Sequence, residues 1–77
     1  MDGNALKIEL MKDAKLVDGV GKHWAVNPVK VAVTVLIGKD KEPVTQVVTV
    51  QKLWTNCFEA AGNVFKPWWT IVKAEFV

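Results

Sequence analysis

At 77 residues and 8.6 kDa the chain has room for one domain, and 51% hydrophobic with 23% charged residues is a folding composition, not a disordered one. Ten lysines against eight acids leave a formal charge of +2, too little by itself to mark a nucleic-acid protein. One cysteine excludes an internal disulfide framework and a thiolate-rich metal site, and no stretch approaches the roughly 20 apolar residues of a membrane helix.

Fourteen valines, with the isoleucines and threonines, make the chain rich in β-branched side chains, which suit a pleated surface and lose rotamer freedom in helices. Mostly β is the starting expectation. Along residues 5–11, Leu6, Ile8 and Leu10 alternate with Lys7 and Glu9, the period of a half-buried strand. The rival is an amphipathic helix over 5–17. Lys15 to Val17 reads as a short strand before an Asp18-Gly19 turn, and Gly19-Val20-Gly21-Lys22 as a plain loop without phosphate-loop spacing. His23 to Val26 opens a strand that Pro28 interrupts or places at an edge.

Val29 to Ile37 is the clearest strand. Val29, Val31, Val33, Val35 and Ile37 form a wholly apolar face, while Lys30, Ala32, Thr34 and Leu36 form a mixed one. A solvated connector, 38–43, leads to a partner strand from Val44, giving a long hairpin over 29–50. Val50, Leu53, Trp54, Cys57, Ala61 and Val64 then recur at three and four, with Asn63 among the polar residues opposite. That spacing predicts a helix over about residues 50–62, with Thr49 as N-cap and Gly62 as the left-handed residue after its end. A strand continuing to Trp54, followed by a loop, is the rival. After Pro67, Trp68 to Val77 alternates as a last strand.

The expected fold is α+β, mostly β: a twisted antiparallel sheet of four or five strands, or a partial barrel, with one short helix before the C-terminal strand. The semi-apolar second faces of 29–37 and 68–77 lack a cover that one helix can supply, so a homo-oligomer is the economical solution.

Candidate chemistry is sparse. Serine, tyrosine and arginine are absent. His23 is the only imidazole, and Cys57 on an apolar stripe behaves as a small hydrophobe, so neither a metal site nor a catalytic residue is expected. No acid inside an apolar run has another acid at strand or helix spacing, no cofactor is indicated, and the chain does not read as an enzyme. Met1-Asp2-Gly3-Asn4 carries no basic region followed by an apolar run, which predicts no secretory signal, and the unpaired Cys57 points to the cytoplasm.

Two functional readings follow. The first is a small non-enzymatic interaction protein that binds itself, or another protein, through a sheet face bearing Trp69, Ile71, Trp68 and Trp24. Adjacent residues on a strand point to opposite faces, so one indole of Trp68-Trp69 enters the core and the other meets solvent, helix or partner. The alternative is a single-stranded nucleic-acid binder. Lysines punctuate the aromatics, with Lys22, Lys52 and Lys66 as candidate phosphate contacts. Lysine without arginine gives point charges rather than base-reading forks, a chemistry suited to sequence-tolerant binding.

Overall fold

A computed structural model describes residues 1–19, 21–62 and 64–77, which fold around one continuous core cluster. The expected loop position Val20 and the expected polar helix position Asn63 lie outside the described residues. In chain order the elements are helix α1 (Gly3–Met11), strands β1 (Lys15–Val17), β2 (His23–Ile37), β3 (Glu42–Leu53), β4 (Cys57–Ala60) and β5 (Val64–Pro67), a 3-10 turn (Trp68–Thr70) and β6 (Ile71–Phe76). The fold is mostly β, one open antiparallel sheet with one short helix. No helix among the described residues is long and apolar enough to cross a membrane.

The helix is not where the sequence places it. Residues 5–11 are helical, not a strand. The Asp2 carboxylate accepts from the Ala5 amide at 2.9 Å and caps the first turn. A strand would bury Leu6, Ile8 and Leu10 together. The helix instead buries Leu6 and Leu10, four apart on one face, and leaves Ile8 64% exposed. Gly3 lets the first turn come so close to the Trp68 carbonyl and Ile71 that a side chain there has no room.

The helix expected over 50–62 is absent. β3 runs through to Leu53, and β4 and β5 form a second hairpin beyond it. Its misleading spacing has a local cause. The β3–β4 register shifts between Val50 and Lys52, and this bulge brings Val50 and Leu53, three apart, to the same buried side. Gly62 does adopt a positive φ, +85°, but in the β4–β5 turn and not after a helix. The last strand is shorter than expected: Trp68 and Trp69 sit in the 3-10 turn, and pairing with β2 starts at Ile71. A register shift at Thr34/Val35 again puts residues three apart, Ile71 and Ala74, in the core.

The hairpin expected over 29–50 is present, with β2 and β3 paired without a break from Val29↔Val50 to Ile37↔Glu42. β2 runs on through Pro28 as one strand, so the expected break there is only a bulge, a register shift with β3 between Ala25 and Val29. These bulges divide the two long strands into halves. In one half the order is β1-β2-β3-β4-β5; in the other, β6 takes the β2 edge that β1 occupies in the first. Val31 and Val33, from the apolar face read in the sequence, are fully buried with Leu6, Val50, Leu53 and Phe58. Each such side chain contributes about 1.5–3 kcal/mol relative to exposure. The opposite face of this half, with Lys30, Ala32, Thr34, Thr45, Val47, Lys73 and Glu75, has no second layer over it among the described residues.

Candidate nucleic-acid interface

The register of the five-strand half sorts its side chains into rows. On the inner side, one row runs Leu16, Trp24, Leu53, Phe58, Lys66. Leu53 and Phe58 are fully buried, and the Phe58 ring lies 5.2 Å from that of Trp68. The Trp68 indole N–H donates to the Trp54 carbonyl at 3.1 Å, which ties this core to the strand end outside it.

On the outer side, one row runs Lys15, Ala25, Lys52, Glu59, Phe65. Beside it, His23 follows Val17, and Cys57 faces Pro67. Trp54 falls between them: its amide donates to the Cys57 carbonyl at 2.7 Å, and its ring lies 5.0 Å from His23 and 6.4 Å from Phe65. Three aromatic rings therefore share one face with Lys15 and Lys52.

Local chemistry holds this arrangement. Gly21, at φ +87°, lets its backbone lie against the Trp54 ring, where a Cβ would stand 3.4 Å from Cζ3. The His23 Nδ1 is 3.2 Å from the Gly21 carbonyl, which fixes the imidazole beside the indole. Lys7 reaches from α1 and donates to the Thr55 carbonyl at 2.8 Å. Lys22, Trp54, Thr55, Asn56, Cys57 and Phe65 line an open groove of about 430 Å³. Phe65 is 54% exposed, whereas Trp54 is half-buried. The Trp54 indole N–H is buried without a partner among the described residues. An unpaired buried donor costs about 1–3 kcal/mol.

Of the expected phosphate contacts, Lys22 and Lys52 join this face and Lys66 does not, being on the inner row opposite Phe58. Lys52 stands opposite Glu59, which is buried and takes a long 3.5 Å hydrogen bond from Gln51. Of the expected interface residues, Trp68 and Ile71 are core, each 3% exposed, because the 3-10 turn and the β6 bulge turn both inward. They carry no surface. Trp24 is half-buried beside Leu53, and only Trp69 is open, at 73% exposure. The three-and-four spacing places Trp54 on a helix stripe, and nothing in the sequence pattern singles out Phe65, Lys7 or Lys15. Reading Lys52 and Trp54 as alternate residues of a strand is the signal that places both on one face.

His23 bonds Gly21 and lies against Trp54, and the Cys57 carbonyl accepts from the Trp54 amide; the thiol and the imidazole do not pair among the described residues. Desolvation, and then the Glu59 carboxylate, push the Cys57 thiol above the usual range, so it is protonated at neutral pH and a poor nucleophile. Alkylation by iodoacetamide across pH should show a midpoint above that of a free cysteine; a midpoint below it would contradict this environment. No three His, Cys, Asp or Glu side chains cluster among the described residues. A larger groove, about 640 Å³, opens between the end of α1 and the β2 bulge, with Glu9, Asp13, Pro28 and Phe76 in its wall and no tryptophan. It is not the indole-lined cavity a small apolar ligand would want.

No protein-family model, no curated protein and no solved structure matches this chain.

Proposed function

We propose that this chain is a small non-enzymatic binding protein that holds single-stranded nucleic acid on the outer face of its five-strand half. The observation carrying this reading is the register that sets Trp54, Phe65 and His23 among Lys15, Lys22 and Lys52, with Lys7 at the rim. Bases stack on the rings, at about 1–3 kcal/mol each, and ammonium groups follow the phosphates. Lysine makes no bidentate fork to a base edge, so recognition is sequence-tolerant.

Titration with a short single-stranded oligonucleotide, followed by tryptophan fluorescence at two salt concentrations, tests the reading. Quenching at low salt that weakens with a log–log slope of about −2 to −3 is expected, as about 0.7 counterion is released per neutralised phosphate. Phe65→Ala should weaken binding by about ten-fold or more, at little cost to the fold because the ring is largely exposed. Lys22→Ala should reduce the slope by about 0.7 without changing sequence preference. No quenching at low salt would remove the reading.

Trp69 supports a second reading, a protein contact. A single indole at 73% exposure is the kind of anchor that dominates interfaces once desolvated. Self-association that Trp69→Ala abolishes would establish it; unchanged mass and fold would remove it.

A further inference from the structure

The longest open strand edge in the described structure belongs to β3. β4 pairs with β3 only from Val50 onward, and no described strand pairs with Glu42–Thr49 on that side. By contrast, Met1 occupies the outer edge of β6: its ammonium donates to the Ala74 carbonyl at 3.0 Å, and the Ala74 amide donates back to Met1. Long edges are usually blunted by charge. This one carries no charged residue from Pro43 to Gln51, and Val47 is 58% exposed.

The backbone directions along this edge are fixed by three observations. The Thr49 carbonyl accepts from the Ala61 amide at 2.8 Å, on the side away from β2, so Thr49 is not hydrogen-bonded to β2. In an unbroken antiparallel register the same then holds for Val47, Thr45 and Pro43. The Thr34 and Thr45 hydroxyls, 2.8 Å apart, fit the close side-chain approach of such a pair. Pro43, which has no N–H, falls where no bond to β2 is lost. Thr45 and Val47 therefore offer both N–H and C=O outward, Thr49 only its N–H, and Pro43 only its C=O.

We propose that a second copy of this chain adds its β3 to this edge, antiparallel about a two-fold axis through Gln46. In that register Thr45 exchanges both bonds with the partner's Val47. The Pro43 carbonyl meets the N–H of the partner's Thr49, the one group each residue has left. Centring on Thr45 would set Val47 against an imino nitrogen that cannot donate. Centring on Val47 would set Thr45 against a carbonyl already taken by Ala61. Side chains agree with the choice: Val44 stands opposite the partner's Val48 and Thr45 opposite the partner's Val47, β-branched pairs that favour a sheet. The outcome is a sheet continuous through both copies, with the aromatic–lysine face of each left free.

Sedimentation and amide exchange test this together. The expected particle has twice the 8.6 kDa chain mass. The Val47 and Thr45 amides should be protected at high concentration and lose that protection, at least ten-fold, on dilution. Along the backbone Thr45→Pro removes only an outward donor, together with the exposed hydroxyl contact to Thr34, and Val47→Lys sets charge on both sides of the axis; each should halve the mass while leaving circular dichroism and oligonucleotide quenching unchanged. Trp69→Ala should keep the double mass. A wild-type monomer at millimolar concentration, or freely exchanging Val47 and Thr45 amides, overturns the proposal, as does a dimer that survives both edge variants or dissociates with Trp69→Ala. The exchange result is read on the unaltered chain, so it holds even where a variant misfolds. Failure of the dimer leaves the nucleic-acid reading standing, and the reverse.

Discussion

Gly3→Ala is expected to destabilise the protein by about 3 kcal/mol, although alanine is the better helix former by about 1 kcal/mol. The added methyl meets the Trp68 carbonyl, a backbone group held by the 3-10 turn, and presses on the Ile71 side chain. Relief requires α1 to lift from β6, which uncovers Leu6 and Leu10, both buried. Urea unfolding followed by circular dichroism gives the sign directly. A fall in midpoint means that the close approach outweighs helix propensity; a rise would mean that α1 does not dock there.

Phe58→Ala is the second large effect, at about 3–5 kcal/mol, the range for a fully buried aromatic. The ring is inaccessible to solvent, stands opposite Leu53 and lies 5.2 Å from Trp68. Trp68 in turn bonds the Trp54 carbonyl, so the loss passes to the strand end that presents the aromatic face. Cys57→Ala, one residue away on the other side of β4, should cost under about 1 kcal/mol, because the thiol lines the groove rather than the core. The pair discriminates between strand and helix for this segment, since a helical stripe would bury residue 57 and leave residue 58 to its flank. Chemical denaturation of both variants is the measurement, and comparable losses would contradict the strand assignment.

Much of the sheet was legible because period-two alternation is a direct record of a half-buried strand. Val29–Ile37 shows this, with its apolar face becoming the core and its mixed face remaining uncovered. Lys15–Val17 is readable for the same kind of local reason, and Pro28 marks a bulge in one continuous strand rather than a break. What misled was the β-bulge. One extra residue in a strand sets two buried side chains three apart, as at Val50 and Leu53, and the result is indistinguishable by spacing from a helical stripe. The N-terminal error has the opposite cause. Leu6, Ile8 and Leu10 alternate by chance, while the decisive signals are the Asp2 cap and a glycine that permits close docking, and the second of these is tertiary. The candidate site suffered from both. Its lysines and tryptophans were visible as neighbours in sequence, but which of them share a face depends on register across β1 to β5. Register puts Lys52 on the face of Trp54, takes Lys66 away and adds Phe65, while the segment before β2 brings Lys22 to the groove.

The four tryptophan indole N–H resonances report most directly on whether the aromatic–lysine face is the proposed binding surface. On adding a single-stranded oligonucleotide at low salt, the Trp54 indole signal should shift together with the backbone amides of Lys22, His23, Lys52 and Phe65, while the Trp24, Trp68 and Trp69 indole signals stay in place. An unmoved Trp54 signal, with perturbation centred on Trp69 or with none at all, would contradict it.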